Sequence, residues 1–167
     1  MEGNYCEARA KKNKTAKDTL IQAVFIIGIV IGLAAAILTG HGLFMLISVA
    51  FGIGAYFVFP SLKVEYEYVF CDGQIDFDKI MNGEKRKRMA RIDFDQVVAA
   101  APKNSHALDG YKHSGVKTYD YTSMTPEGRV WGVVVTAGEQ NSVYYFEPSD
   151  EMIQKMKQKS PRKVSEY

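Results

Sequence analysis

Charged residues are absent from one long stretch of the chain, TLIQAVFIIGIVIGLAAAILTGHGLFMLISVAFGIGAYFVFPSL (Thr19–Leu62), although they make up 24% of the sequence as a whole. A bilayer core about 30 Å thick is crossed by about 20 apolar residues in a helix. Two segments of about that length, Leu20–Leu38 and Leu43–Phe59, lie on either side of the turn Thr39-Gly40-His41-Gly42. The sequence therefore predicts a hairpin of two membrane spans at residues 19–62.

A buried core hairpin and a cleaved signal peptide both fit these apolar segments less well. The rest of the chain is too short to wrap two helices that are apolar on every face, which argues against a hairpin buried in a soluble protein. The first segment is longer than the apolar region of a signal peptide, and no small-residue cleavage site precedes the second segment. We expect a retained anchor.

The cations beside the spans predict which side of the membrane the termini occupy. Lys63 follows the second span, and a cluster precedes the first: Arg9, Lys11, Lys12, Lys14 and Lys17. The connecting turn has no Lys or Arg, so both termini are expected in the cytoplasm of a bacterial cell, with the hairpin in its inner membrane. His41 is expected to be a solvated residue of the turn, because the spans contain no carboxylate to pair with it.

Small residues are spaced four apart in both spans and so lie on one face of each helix. Gly28, Gly32 and Ala36 form the face in the first span, and Ser48 and Gly52 form that of the second. Such faces let helix backbones approach closely. They predict packing within the hairpin, with a homodimer formed between two hairpins as the alternative.

After Pro60 the chain has the alternation and turn signals of a β-domain. Asp72-Gly73 and Asn82-Gly83 are typical of two-residue hairpin turns, which need positive φ at both central residues. They predict three antiparallel strands, and later polar segments delimit four more. The seven predicted strands are Val64–Phe70, Ile75–Met81, Lys85–Ile92, Val97–Ala101, Val116–Tyr121, Val130–Thr136 and Val143–Glu147.

The last predicted element is a helix that begins after Ser149 or Asp150 and ends before Pro161. Its apolar face, with Met152, Ile153 and Met156, must pack on the sheet. The chain thus divides into a cytoplasmic tail at residues 1–18, expected to be disordered, the hairpin at 19–62, a domain at 63–160 and a tail at 161–167. The fold class is α+β: a transmembrane hairpin, then about seven antiparallel strands in a barrel or sandwich with a C-terminal helix.

A basic run on the third predicted strand is the strongest charge feature of the domain. It consists of Lys85, Arg86, Lys87, Arg88 and, close behind, Arg91. Near an anionic leaflet each cation contributes about 1 kcal/mol, so the run is a candidate lipid-binding surface. The alternative is cross-strand ion pairing with neighbouring acids, and the candidates are Asp76, Asp78, Glu84, Asp93 and Asp95.

Other functional classes have little support in the sequence. From Lys63 to Tyr167 acids and bases balance, which argues against a nucleic-acid partner. The Asp76/Asp78 and Asp93/Asp95 pairs lack the further ligands of a metal loop. Ser105, His106 and Asp109 crowd into one loop without a nucleophile elbow. No phosphate loop, dinucleotide fingerprint or zinc pattern occurs. We expect no metal, no cofactor and no enzyme activity, and Cys6 and Cys71 to be free thiols.

The segment EYEYVFCDGQIDFDKIMNGEKRKRMARIDFDQVVAAAP (Glu65–Pro102) resembles the membrane-anchored bacterial domains of the pleckstrin-homology (PH) superfold. The whole chain is similar to small bacterial membrane proteins with two spans and one such domain. The resemblance implies a binding module, and aromatic residues of the strands are expected to form core and rim, with some lining a peptide groove beside the C-terminal helix.

Two functions remain open on the sequence alone. The first is an adaptor that binds an unknown membrane or cytoplasmic protein at the bilayer surface. The second is recognition of anionic lipid headgroups by Lys85–Arg91.

Overall fold

The computed structural model describes residues 5–113, 115–126, 128–138 and 140–166. Residues 1–4 of the predicted N-terminal tail, and Glu127 and Glu139 in two predicted turns, lie outside this part of the chain. The described residues form two compact units: residues 13–64 together with 81–84, which contain the helical hairpin, and the remaining residues, which contain most of the β-domain. Their elements are, in chain order, β1 Tyr5–Lys11, α1 Ala16–Thr39, α2 Gly42–Ser61, β2 Val64–Cys71, β3 Gln74–Met81, β4 Lys85–Asp93, β5 Val97–Pro102, β6 Lys117–Asp120, β7 Trp131–Ala137, β8 Gln140–Phe146 and α3 Asp150–Lys159.

The helical unit contains the two predicted spans. At 24 and 20 residues, α1 and α2 are long and apolar enough to cross a membrane. Most of their apolar side chains are exposed, unlike those of a core helix in a soluble protein. Gly40 ends α1 in the left-handed conformation (φ 68°), and α2 begins two residues later.

The contacts between α1 and α2 involve some of the predicted small residues and not others. Gly32 lies against Ser48, whose hydroxyl donates to the carbonyl of Ile29 at 3.1 Å. The ring of Phe51 packs against Gly28, and the ring of Phe25 packs against Gly54. The four-residue spacing did not identify Gly54. Ala36 is half-buried. A Cβ placed on Gly52 would meet no atom within 4 Å, so this glycine is outside the contact.

The N-terminal tail that was expected to be disordered contains a strand. β1 pairs antiparallel with β2 over its whole length, from Tyr5 opposite Cys71 to Lys11 opposite Glu65. Cys6 and Ala10, which lie on the inner face of the strand, are each 3% exposed. The segment is too polar to show an apolar pattern, and its order comes from pairing with a strand that follows it only after the whole hairpin.

Two four-stranded sheets make up the β-domain, in the orders β1-β2-β3-β4 and β5-β7-β8-β6. The two predicted hairpin turns are confirmed, since Asp72, Gly73, Asn82 and Gly83 all have positive φ. Between the sheets the chain turns through a short 3-10 segment, Phe94–Gln96, where the Asp93 carboxylate accepts from the Asp95 N–H at 3.0 Å. Phe94 is fully buried at this corner.

One predicted pairing direction is wrong. β6 runs parallel to β8, not antiparallel to a sequence neighbour. The connection after β5 is long and contains the 3-10 helix His106–Tyr111, so the chain crosses to the far edge of the sheet before β6 begins. A long crossover permits the parallel arrangement that a tight turn forbids.

The core lies between the sheets and beneath α3. Its largest fully buried side chains are Trp131, Tyr68, Phe70, Phe77, Phe94 and Phe146. The α3 residues Met152, Ile153 and Met156 are also buried there, and the Ser149 hydroxyl accepts from the Met152 N–H at 3.2 Å, as the cap prediction required. The described part of the C-terminal tail is also ordered, because Val164 is 7% exposed and lies in this core.

We expect Ala10→Asn to lower the stability of the protein in detergent by about 2 kcal/mol, because an amide would be buried without a partner at a closely packed position. Thermal and urea unfolding would measure the change. Lys11→Asn is the matched control on the exposed face of β1, and it should stay within about 0.5 kcal/mol of the parent. Equal stability of both variants would show that β1 does not form.

Candidate binding surfaces

The arginines of β4 lie in ion pairs along the outer face of the first sheet. Arg91 contacts Asp76 through two hydrogen bonds of 2.6 Å each, and Arg88 lies 3.2 Å from the same carboxylate. Arg88 also lies 3.6 Å from Asp78. The cross-strand ion pairs that the sequence offered as the alternative to lipid binding are therefore present for the arginines of β4.

Glu67 on β2 is the central acid of this network, and it was not among the acids that the sequence suggested. Its side chain is 1% exposed and lies 2.8 Å from Arg9 of β1, with Arg86 of β4 on its other side. A buried carboxylate is costly unless cations surround it. The alternation of Glu65 and Glu67 with Tyr66 and Tyr68 is the signal in the sequence that would have placed Glu67 on the charged face.

The electrostatics of Asp76 follow from these contacts. The hydrogen bonds from Arg91 are the main cause that holds the pKa of Asp76 below its usual range, and the nearby charge of Arg88 acts in the same direction. Partial burial opposes this lowering of the pKa. The ionised form of Asp76 is thus part of the folded structure.

Lys85 and Lys87 differ from the arginines. Both are exposed, and within the described residues neither side chain has an ion pair or hydrogen bond. Lys85 directly follows the β3–β4 turn, in which the Asn82 N–H donates to the carbonyl of Lys63 at 3.0 Å. Lys63 follows α2 closely, so the turn preceding these lysines is tied to the end of the second helix.

A second surface is a cluster of four tyrosines, which we call the tyrosine cluster: Tyr66, Tyr119, Tyr121 and Tyr144. The rings of Tyr119 and Tyr144 stack with centroids 4.8 Å apart, and Tyr66 lies 5.6 Å from Tyr121. Phe77 supports the cluster from the core, 5.8 Å from Tyr144. Tyr119 is 38% exposed and Tyr66 and Tyr144 are half-buried, so the cluster is open to solvent on one side.

Nonlocal strand pairing builds this cluster. The parallel register of β6 and β8 places Tyr119 opposite Tyr144, and the opposing sheet supplies Tyr66 from β2. Burial raises the pKa of Tyr121 to about 12. Burial also raises the pKa of Tyr66, and the negative charge of Asp120 raises it further. At neutral pH the hydroxyls of Tyr66 and Tyr121 are protonated, as those of ordinary tyrosines are, and can donate hydrogen bonds. The sequence identified these residues only as aromatics on strands.

A bacterial protein family matches nearly the whole chain. The family described as Bacterial PH-like domain (DUF6106) matches residues 2–166. The chain belongs to this family. The matched residues include β1 and the hairpin as well as the β-domain. No curated protein and no solved structure matches the chain.

A third feature of the PH-like domain is a cleft of about 500 Å³ between the end of β5 and the loop before β7, lined by Pro102, Lys103, Asn104, Thr125, Pro126, Gly128, Arg129 and Val130. Its cations have partners already. Lys103 lies over the Tyr145 ring at 5.0 Å, and Arg129 pairs with Asp150. The cleft therefore offers little free charge for a ligand.

The residues considered for catalysis or metal binding have local partners. The Ser105 hydroxyl accepts from the Ala107 N–H at 3.2 Å, and exposed His106 lies 2.9 Å from Asp109. Among the described residues, no group of three or more His, Cys, Asp or Glu side chains is placed to hold a metal ion. Cys6 is buried and Cys71 is exposed, and both are free thiols.

Asp76→Asn is expected to destabilise the protein by about 1 kcal/mol at pH 7, because the paired carboxylate loses its charge. Because the pKa of Asp76 is lowered in the folded protein, its ionised carboxylate stabilises the fold at pH values above the ordinary pKa of 3.8. This contribution is lost as the pH falls through the folded pKa. The difference between parent and variant should therefore shrink from pH 7 to pH 3 in urea unfolding experiments. Glu84→Gln, at an exposed position of the β3–β4 turn, is the control. A difference that is independent of pH would contradict the assigned pair.

Proposed function

We propose that this protein is a membrane-anchored binding module, in which the PH-like domain acts as a protein-interaction or assembly adaptor at the cytoplasmic face of the bacterial inner membrane. The observation that carries the proposal is the half-exposed tyrosine cluster on a rigid β-framework. In this proposal the module has no catalytic activity of its own.

The strand pairing supports an arrangement in which both ends of the hairpin are on one side of the membrane. β1 precedes α1, β2 follows α2, and the two strands are hydrogen-bonded partners. Two strands of one sheet cannot lie on opposite sides of a bilayer. The cations before α1, with none in the turn at Thr39–Gly42, favour the cytoplasm as that side.

The chemistry of the tyrosine cluster suits a protein partner. Tyrosine provides a large contact area with little loss of conformational entropy, and it is enriched at protein interfaces. Stacking of Tyr119 on Tyr144 holds the rings in place before any partner binds, which lowers the entropic cost of binding. Next to the rings, β6 is the edge of its sheet, and all four of its residues are exposed.

Photo-cross-linking in cells would test the adaptor proposal. With a benzophenone amino acid in place of Tyr119, we expect a defined cross-linked species that is lost on Tyr144→Ala, because the stacked ring that orients the probe is removed. The matched control places the same probe at Tyr5, an exposed tyrosine on β1 that is outside the cluster. Identical patterns at Tyr119 and Tyr5, or none at Tyr119, would reject the tyrosine cluster as the binding surface of the adaptor.

A second candidate function is contact with anionic lipid headgroups. It is favoured by Lys85 and Lys87, which are exposed, have no ion-pair partner among the described residues and follow the turn tied to the end of α2. At about 1 kcal/mol per cation, these two lysines would contribute about 2 kcal/mol. The arginines, already neutralised by Glu67, Asp76 and Asp78, add little to this attraction, and for this reason lipid binding is placed second.

Cysteine accessibility in nanodiscs would test lipid contact. In a Cys71→Ser background, Lys87→Cys should react with a charged maleimide several-fold more slowly when the bilayer contains anionic lipid than when it is neutral. Lys117→Cys, on exposed β6, is the control for a general change of reactivity. Equal rates for Lys87→Cys in both bilayers would reject the lipid function and leave the adaptor proposal unaffected.

A further inference from the structure

The end of the chain returns to the second sheet after α3. Beyond Pro161, the Lys163 carbonyl accepts from the Ala100 N–H at 2.7 Å, and the Ser165 N–H donates to the Ala100 carbonyl at 2.9 Å. These two bonds make a parallel bridge between Val164 and Ala100 of β5. Residues 163–165, here called the tail segment, thus pair with β5.

The side chains of the tail segment occupy separate places. Val164 is 7% exposed and belongs to the main apolar core. The Lys163 ammonium donates to the carbonyls of Phe94 and Asp95, at 3.2 and 2.8 Å, at the corner between the two sheets. After the segment, Glu166 pairs with Lys157 of α3 at 2.7 Å.

The place that the segment occupies is a sheet edge. β5 is the outermost strand of its sheet, and its other side pairs with β7. An exposed edge has unpaired backbone groups that accept an additional strand, and extended peptides bind many domains in this way. Here the tail segment occupies the β5 edge. It forms two backbone hydrogen bonds with Ala100, buries the side chain of Val164 and binds the corner between the sheets through the Lys163 ammonium.

We propose that the β5 edge is the peptide-docking site of the module, and that the tail segment is its intramolecular ligand, displaced when an extended segment of a partner protein with the same chemistry binds. This inference deepens the adaptor function proposed above and rests on it.

The contacts of the tail define the partner sequence that would fit. The position of Val164 needs a β-branched apolar residue, because it is buried in the core. The preceding residue should be Lys or Arg, since the Lys163 ammonium donates to two backbone carbonyls, those of Phe94 and Asp95. The following residue must have a free N–H, which excludes proline. The partner is therefore an extended segment with a basic, a β-branched and a small polar residue in succession.

The covalent tail competes strongly with any free peptide. A ligand tethered by a few residues has an effective concentration of about millimolar. A peptide that binds the empty edge with micromolar affinity should consequently bind the intact protein at least about tenfold more weakly. This difference between the intact and tail-free protein is the measurable signature of the site.

The test uses the full chain in detergent and a variant that ends at Ser160. The probe is a fluorescent peptide of residues 160–167, Ser-Pro-Arg-Lys-Val-Ser-Glu-Tyr, followed by anisotropy. We expect saturable binding to the truncated variant and at least about tenfold weaker binding to the intact chain. The same peptide with Val164→Asp is the matched control, and it should bind the truncated variant at least about tenfold more weakly.

Two results with the truncated variant would overturn the proposal. The first is a truncated variant that unfolds cooperatively and binds neither peptide, and the second is equal binding of both peptides. For the case in which truncation prevents folding, the full chain with Val164→Ser provides a second variant that should bind the probe more tightly than the parent. If this variant also fails to fold, or binds no better than the parent, the tail is only a structural part of the core.

The result is separable from that for the adaptor function. A cross-link from Tyr119 without peptide binding would leave the adaptor in place and reject the β5 edge as its docking site. Peptide binding without a cross-link would support the edge and reject the tyrosine cluster.

Discussion

The antiparallel pairing of β1 with β2 joins the two segments of the chain that lie on either side of the helical hairpin. These strands are separated along the chain by both apolar helices, yet they pair from Tyr5 to Lys11 without interruption. The pairing completes the first sheet, buries Cys6 and Ala10, and brings Arg9 to the buried Glu67. It also makes the helical hairpin an insertion between two adjacent strands of one domain, so that one cut of the chain cannot separate the hairpin from the complete domain.

On the outer face of the first sheet, the arginines and the lysines of the basic run of β4 have different charged surroundings. Arg86, Arg88 and Arg91 compensate carboxylates on β2 and β3, whereas Lys85 and Lys87 pair with no acid among the described residues. Guanidinium groups suit this role because their planar geometry matches a carboxylate and they are weakly hydrated. A run of five cations in the sequence is thus partly a structural network and partly a free surface, and its capacity to attract an anionic membrane is smaller than its formal charge suggests.

The second sheet has its functional potential at its two edges. β6 brings Tyr119 to the tyrosine cluster at one edge, and the tail segment covers β5 at the other. An open edge is a risk of aggregation as well as a means of binding. Polar and charged residues cover the β6 edge, and the chain's own C-terminal residues cover the β5 edge, so neither edge is left open to indiscriminate pairing.

The features that arise from local chemistry could be predicted from the amino-acid sequence alone. The absence of charge from Thr19 to Leu62 predicted two helices long and apolar enough to span a membrane, Asp-Gly and Asn-Gly predicted two hairpin turns, and the Glu65–Pro102 pattern indicated the family. The features that depend on pairing between distant segments became visible only in the folded structure. β1 is too polar to be recognised as a strand until β2 lies beside it, and Glu67 is identified as a buried acid only when arginines arrive from two other strands. The parallel pairing of β6 with β8 and the pairing of Val164 with β5 also depend on residues that are distant in the sequence. Their stabilising contacts join residues far apart in sequence, where neither periodicity nor turn chemistry carries information about the partner.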